Sequence, residues 1–264
     1  MAVQSAILTV MIRAAEKAAR SLVRDFGEVE QLQVSVKGPS DFVTAADRRA
    51  EEIIHEELSK ARPDFGFLME ESGTIAGKDP ERRWIIDPLD GTTNFLFGLP
   101  HWAISIALEE KGEITAGLIY DPVKDEMFHA EKNSGAFMRR RRLRVSGRSA
   151  PDFSAVATGA PRRGQNDQEL FFKEQRAVWN AGFSLRRFGA AALDLAYVAA
   201  GRYEGFWERS LKPWDIAAGM LIVREAGGFI KDIDDDRLNP LVTGNVVASN
   251  DKLFDTLRKA VRSA

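Results

Sequence analysis

The order of elements in this chain predicts an α+β half joined to an α/β half. Residues 1–150 hold two helical segments followed by a succession of short strand-like runs, and from residue 154 strand-like and helical segments alternate. Runs of strands mark the first class and alternation the second. The two halves are therefore expected at 1–150 and 151–264. Ile7, Val10, Met11, Ala14, Ala18 and Leu22 recur at helical spacing, which predicts a docked helix over 5–26, stopped by Gly27. A strand-like run at 32–36 precedes KGPSDF, where regular structure is expected to break. A second helix is expected over 44–61, before Pro63. Strands are expected at 66–69, 84–86 and 103–109, the last turning at Lys111 and Gly112 into 114–120 as a hairpin. Two more are expected at 126–130 and 136–138.

In the second half, strands are expected at 154–158, 184–187, 203–207 and 246–249, and helices at 167–180, 190–200 and 215–226. Gly201 and Gly227 close the last two helices, and a further helix ends the chain. Over 190–200, Leu193, Ala196, Tyr197 and Ala200 fall on one face. There is no internal repeat.

With 264 residues, 44% hydrophobic and 29% charged, the composition is that of an ordinary soluble protein able to build a core without staples. A net charge of −2 gives no global field of the kind that draws nucleic acid or membrane surfaces. Cysteine is absent, which excludes disulfides, thiolate metal sites and a cysteine nucleophile, and permits a reducing cytoplasm, the expected location. Arg13, Glu16 and Lys17 interrupt any signal-like span near the N-terminus, and no apolar run is long enough to cross a bilayer.

The most informative stretch is WIIDPLDGTTNF at 84–95. An apolar strand is expected to end in Asp87 and Asp90, separated by a Pro-Leu turn, before Gly91, Thr92 and Thr93 begin a short helix. Hard cations such as Mg2+ take oxygen ligands, typically a few carboxylates plus substrate phosphate. Backbone N–H groups of Gly91 and Thr92 would face an anion. A single acidic pair of this kind also reads as a capped turn. Glu70 and Glu71, however, follow the strand-like GFLM, and Asp215 opens an Ala-rich helix after Pro213 and Trp214, where an acid also serves as an ordinary cap. Three acidic element ends repel strongly if brought together, unless a cation neutralises them.

Together these segments resemble the inositol monophosphatase family. The likeness runs through KGPSDFVTAAD (37–47), MEES (69–72), WIIDPLDGTTNF, RFGAAALDLAYVAAG (187–201) and KPWDIAAG (212–219), with a general look closest to the bacterial branch. It implies a layered αβαβα sandwich, a homodimer, and a lithium-sensitive phosphomonoesterase that uses two or three Mg2+ ions on a small phosphorylated polyol or sugar. By position, Glu70, Asp87 and the Leu89 carbonyl would hold a first metal, and Asp87, Asp90 and Asp215 a second. A third, weaker ion is expected near Glu70. Thr92, paired with Asp47, would help Glu70 deprotonate the attacking water. Gly189, Ala191 and Glu208 match substrate-contact positions, beside Asp90, Gly91, Thr92 and Asp215.

This sequence departs from the family pattern at Met69, where glycine is frequent, and at Ala190, where a small hydroxyl residue is usual. Lys37 matches a mobile-loop lysine and reads equally as a solvated turn residue, while Glu71 reads as exposed or as a support to the ligands. His101 is expected to pack or cap rather than act as an acid, and Trp207 and Trp214 to form core or pocket wall. The run RRRRLR, from Arg139 to Arg144, raises an RNA-associated or interaction role, but its place after a strand and its lack of interleaved aromatics favour a solvated hairpin turn. Inositol 1-phosphate is the leading substrate. Histidinol phosphate, fructose 1,6-bisphosphate and 3′-phosphoadenosine 5′-phosphate are the alternatives.

Overall fold

Ser5 caps the first helix in the computed structural model, which describes residues 5–28, 34–38, 41–161 and 168–264, with backbone alone for 34–38 and 41–44. Its hydroxyl accepts the Leu8 N–H at 3.0 Å, and helix α1 runs Ala6–Phe26. β1 (Val34–Gly38) and β2 (Asp41–Thr44) form an antiparallel ribbon, so KGPSDF interrupts the strands more briefly than expected. Positions 32 and 33 of the expected strand lie outside the described residues, as does the Lys37 side chain. Helix α2 (Ala45–Ala61) follows.

The next strands build one sheet: β3 (Phe65–Met69), β4 (Gly73–Ile75), β5 (Asp79–Asp90), β6 (Ala103–Glu110), β7 (Glu113–Asp121), β8 (Glu126–Glu131), β9 (Gly135–Met138) and β10 (Arg141–Arg142). Their spatial order is β10-β9-β8-β7-β6-β5-β3-β4, antiparallel except where β3 lies parallel to β5. The short helix α3 (Thr92–Leu96) sits between β5 and β6. The expected hairpin is the β6–β7 pair.

β5 corrects one expectation. The strand does not stop at a Pro-Leu turn; it continues through both acids, and its register against β6 slips between Asp87 and Asp90. Pro88 has no N–H to give a ladder, and a bulge is where a sheet accommodates such a residue.

The second sheet contains β11 (Ala155–Thr158), β12 (Ser184–Arg186), β13 (Gly205–Glu208), β14 (Phe229–Asp232) and β15 (Val246–Ser249), ordered β12-β11-β13-β15-β14. β12, β11 and β13 are parallel, whereas β15 runs antiparallel to β13 and β14. Helices α4 (Gln168–Asn180), α5 (Ala191–Ala199), α6 (Pro213–Glu225), α7 (Pro240–Thr243) and α8 (Phe254–Arg262) complete the chain.

The layers follow from what each helix touches. α1 and α2 pack together against one face of the large sheet. α5 and α6 lie between the two sheets, and α4 and α8 cover the outer face of the small one. The result is the αβαβα sandwich. α5 is therefore buried on all sides, not along one face, because a sheet covers it above and below. No helix among the described residues is long and apolar enough to cross a membrane.

The arginine run is the β9–β10 hairpin, turned at Arg139 with φ of 53°. Arg139 pairs with Asp125, and the Arg142 guanidinium lies along Gly135.

Candidate active site

The ends of β3, β5 and α6 bring the sequence-predicted acids into one region. Parallel pairing of β3 with β5 places Met69 opposite Ile86, and the Glu70 N–H donates to the Ile86 carbonyl at 3.2 Å. Glu70 thus stands beside the strand that carries Asp87 and Asp90. Asp215 sits in the first turn of α6, where its Oδ2 accepts the Lys212 N–H at 2.7 Å. The Ser105 hydroxyl of β6 donates to the Trp214 carbonyl at 3.2 Å, tying that helix start to the same sheet.

Asp87 is 2% exposed and Asp90 9%. Burial pushes both carboxyls well above the ordinary carboxylate range. For Asp87, repulsion from Glu70, Asp90 and Asp215 and a hydrogen bond shared with Glu70 add to the rise. For Asp90 the repulsion comes mainly from Asp215, and the N–H groups of Ala192 and Ala191 partly oppose it. The Ala192 N–H donates to Asp90 Oδ2 at 2.8 Å. Asp90 thereby caps α5 from outside, which accounts for an N-cap, Ala190, without a side-chain acceptor of its own.

Asp47, fully buried in the first turn of α2, meets the Thr92 hydroxyl as expected. Thr92 Oγ1 lies 3.1 Å from Asp47 Oδ1 and 3.1 Å from the Leu89 carbonyl oxygen. Gly91 precedes it at φ 92°, and a Cβ there would stand 3.1 Å from the His101 carbonyl and 3.3 Å from Trp102, so glycine is required on both counts.

Glu208 ends β13. Burial raises the carboxyl of the fully buried Asp194 of α5, and the charges of Glu208 and Asp90 add to the rise. Gly189 (φ 83°) and Ala191 form the start of α5 that faces Asp90.

Three contributors had escaped sequence reasoning. Asn94 donates to the carbonyls of His101 and Phe188, each at 2.8 Å, and so fastens the segment between β12 and α5 onto α3. Its place inside DGTTNF was the available signal. Glu51 of α2 accepts the Glu71 N–H at 2.9 Å and the Ser72 hydroxyl at 2.5 Å, latching the turn that carries Glu70. Asp194 has both carboxylate oxygens buried without a hydrogen bond, and burial raises its carboxyl well above the ordinary range. Nothing in the sequence distinguished it from a helix-surface acid.

His101 packs, as expected. Its ring lies 5.1 Å from that of Phe188, and burial lowers its pKa to about 4, so it is neutral near pH 7. Trp207 is core and donates to Glu174, while Trp214 packs against the interlayer core.

The donor set is chemically right for a hard cation: four carboxylates and a carbonyl, all oxygen. Among the described residues, no three His, Asp or Glu side chains stand at ligand spacing as they are. Asp87, Asp90 and Asp215 each give an oxygen to a backbone N–H instead. The acids are gathered, with Asp87 hydrogen-bonded to Glu70 and one oxygen each of Asp87, Asp90 and Asp215 taken up by a backbone N–H.

The inositol monophosphatase family profile matches residues 3–264. This chain belongs to that family. An inositol-1-monophosphatase of Mesorhizobium japonicum is 56% identical over 259 residues, covering 98% of this chain and 97% of that protein. The Nus factor SuhB of Escherichia coli K12 is 41% identical over 256 residues, covering 97% and 96%. Among solved structures, the extragenic suppressor protein suhB from Bartonella henselae superposes with a TM-score of 0.95 at 54% identity, covering 98% of this chain and 100% of that one. The inositol monophosphatase fold in these neighbours is the same layered sandwich.

Proposed function

We propose that this chain is a Mg2+-dependent phosphomonoesterase acting on inositol 1-phosphate or a similar polyol or sugar phosphate. Family membership and three relatives named inositol-1-monophosphatase, 49% to 56% identical, support a phosphoric monoester hydrolase. The observation that carries the reading is the convergence of Glu70, Asp87, Asp90 and Asp215 from three separate elements, with burial and mutual repulsion raising the carboxyls of Asp87 and Asp90.

In this reading Glu70, Asp87 and the Leu89 carbonyl would hold one Mg2+, Asp87, Asp90 and Asp215 would hold a second, and a third would bind beside Glu70. Bound there, the ions supply charge to the phosphate oxygens and the leaving alkoxide and acidify water. The chain's own residues do the rest. Asp47 fixes the Thr92 hydroxyl, so that Thr92 and Glu70 orient one water and Glu70 takes its proton. That oxygen attacks phosphorus, the ester P–O bond breaks, and the departing alkoxide takes up the proton that Glu70 removed, carried through water. Gly91 and Thr92 present backbone N–H groups to the phosphate. Asp90, Asp215 and Glu208 accept ring hydroxyls, with Gly189 and Ala191 at the rim. A homodimer in the cytoplasm completes the proposal.

The test is a panel of phosphate esters assayed with Mg2+, with chelator, and with lithium. Inositol 1-phosphate should turn over fastest, only with Mg2+, and lithium should inhibit. Preference for histidinol phosphate, fructose 1,6-bisphosphate or 3′-phosphoadenosine 5′-phosphate would replace the substrate. No turnover of any ester would overturn the reading.

A further inference from the structure

β11 and β13 are parallel neighbours, with Thr158 opposite Trp207, so Gly159, the first residue past β11, lies beside Glu208, the last residue of β13. Gly159 is buried, and its backbone is not in a left-handed conformation. Its lack of a side chain has a different cause. A Cβ built on it would stand 1.9 Å from Glu208 Oε1, 2.0 Å from Cδ and 2.2 Å from Oε2. The Glu208 carboxylate therefore occupies the volume that any side chain at 159 would need.

The residue after Glu208 is held from two sides. Arg209 Nε donates to Glu174 Oε1 at 2.5 Å, while Nη1 and Nη2 donate to Asp234 at 2.7 and 3.0 Å. Glu174, on α4, also accepts the Trp207 indole N–H at 3.2 Å. Burial raises the Glu174 carboxyl above its ordinary value, and the Arg209 guanidinium opposes only part of the rise. One arginine thus ties the end of β13 to α4 and to the segment after β14. A cavity of about 20 Å3 opens between Gly159, Glu174, Glu208 and Arg209, room for about one water-sized group.

We propose that Gly159 and Arg209 are positioning residues that hold the Glu208 carboxylate toward the substrate's hydroxyl groups, and so set the selectivity of the site for polyol esters over esters without hydroxyls. The proposal rests on the reading of Glu208 as a substrate contact. A carboxylate with a fixed direction accepts a hydroxyl at less entropic cost than one free to swing. Hydroxyl recognition of this kind is where a site gains discrimination against analogues that lack the group.

The experiment compares kcat/KM for inositol 1-phosphate with that for phenyl phosphate, both with Mg2+, in the full chain. Gly159→Ala and Arg209→Met are each expected to lower the ratio about tenfold, mainly through a higher KM for the inositol ester. Phenyl phosphate kinetics should stay as in wild type, which also shows that the variants fold. Arg209→Lys, keeping the charge but not the fork, should fall between. Glu208→Gln supplies the benchmark. If Glu208→Gln leaves the ratio unchanged, the substrate-contact reading falls and the proposal with it. If Glu208→Gln lowers the ratio while Gly159→Ala and Arg209→Met do not, the positioning role alone is overturned. Equal loss on both esters in the latter two variants overturns it as well.

Discussion

Two acidic regions of this molecule carry opposite electrostatics. In the DIDDD segment at 232–236 the acids are matched by cations or backbone donors: Asp234 with Arg209, Asp235 with Arg237, Asp236 with Arg258, and Asp232 with the N–H groups of residues 234 and 235. The Arg209, Arg237 and Arg258 hydrogen bonds hold the first three carboxyls below the ordinary range. At the end of β5 the acids face one another instead, and burial plus repulsion drives Asp87 and Asp90 upward. The denser acidic run is structural. The cluster at the end of β5 is assembled from three distant segments and leaves its acids to repel one another, the arrangement that the proposed function uses.

The largest break in this contrast comes from the acids proposed to hold the metal. Asp87→Asn or Asp90→Asn should lower turnover more than about a hundredfold, beyond what loss of an outer supporting group costs, while circular dichroism melting stays at or above wild type. Wild-type-like turnover in either would remove that acid from the site. Next in size is Asn94→Ala, which strips the His101 and Phe188 carbonyls of their shared donor. It should destabilise the fold by roughly 2 kcal/mol in chemical denaturation and loosen the start of α5. An unchanged midpoint would show that water replaces the amide at no cost.

Asp194 sharpens the comparison through pH. Its carboxyl titrates higher folded than unfolded, so its favourable contribution is present below the unfolded value and is lost as pH rises toward the folded one. Asp194→Asn should therefore gain in melting temperature relative to wild type as pH rises above the unfolded value of about 4. A difference that is flat in pH would mean the acid stays ionised in the fold. The smallest effect belongs to Asp234. Its depressed carboxyl stabilises above the unfolded value and ceases to do so as pH falls through the folded one. Its side chain is 49% exposed, so solvent screening limits Asp234→Asn to below about 1 kcal/mol at pH 7. That difference should shrink as pH falls below the unfolded value of about 4, and a larger loss would mark the acid as part of the Arg209 clamp's rigidity.

Much of the architecture was legible in advance because long periodic segments signal themselves. α1, α2, the β6–β7 hairpin, α6 and β15 fall within a few residues of expectation. β2, β4, β10, β14 and α7 were invisible: none exceeds four residues, and each owes its shape to a neighbour that sequence proximity does not reveal. β5 was read as three residues where it has twelve, since charged Glu81, Arg82 and Arg83 disguise its first half.

The site shows the same division. DPLDGTTNF and PWDIAAG made Asp87, Asp90 and Asp215 candidates through their resemblance to a known family, because the local pattern reads equally well as capped turns. Tertiary structure decided the rest: that Glu70 lies beside Asp87 through parallel pairing, that Asp90 caps a helix a hundred residues away, and that Asp194 and Asn94 are buried at all. Burial and charge proximity are properties of distances through space. A linear pattern records only distances along the chain.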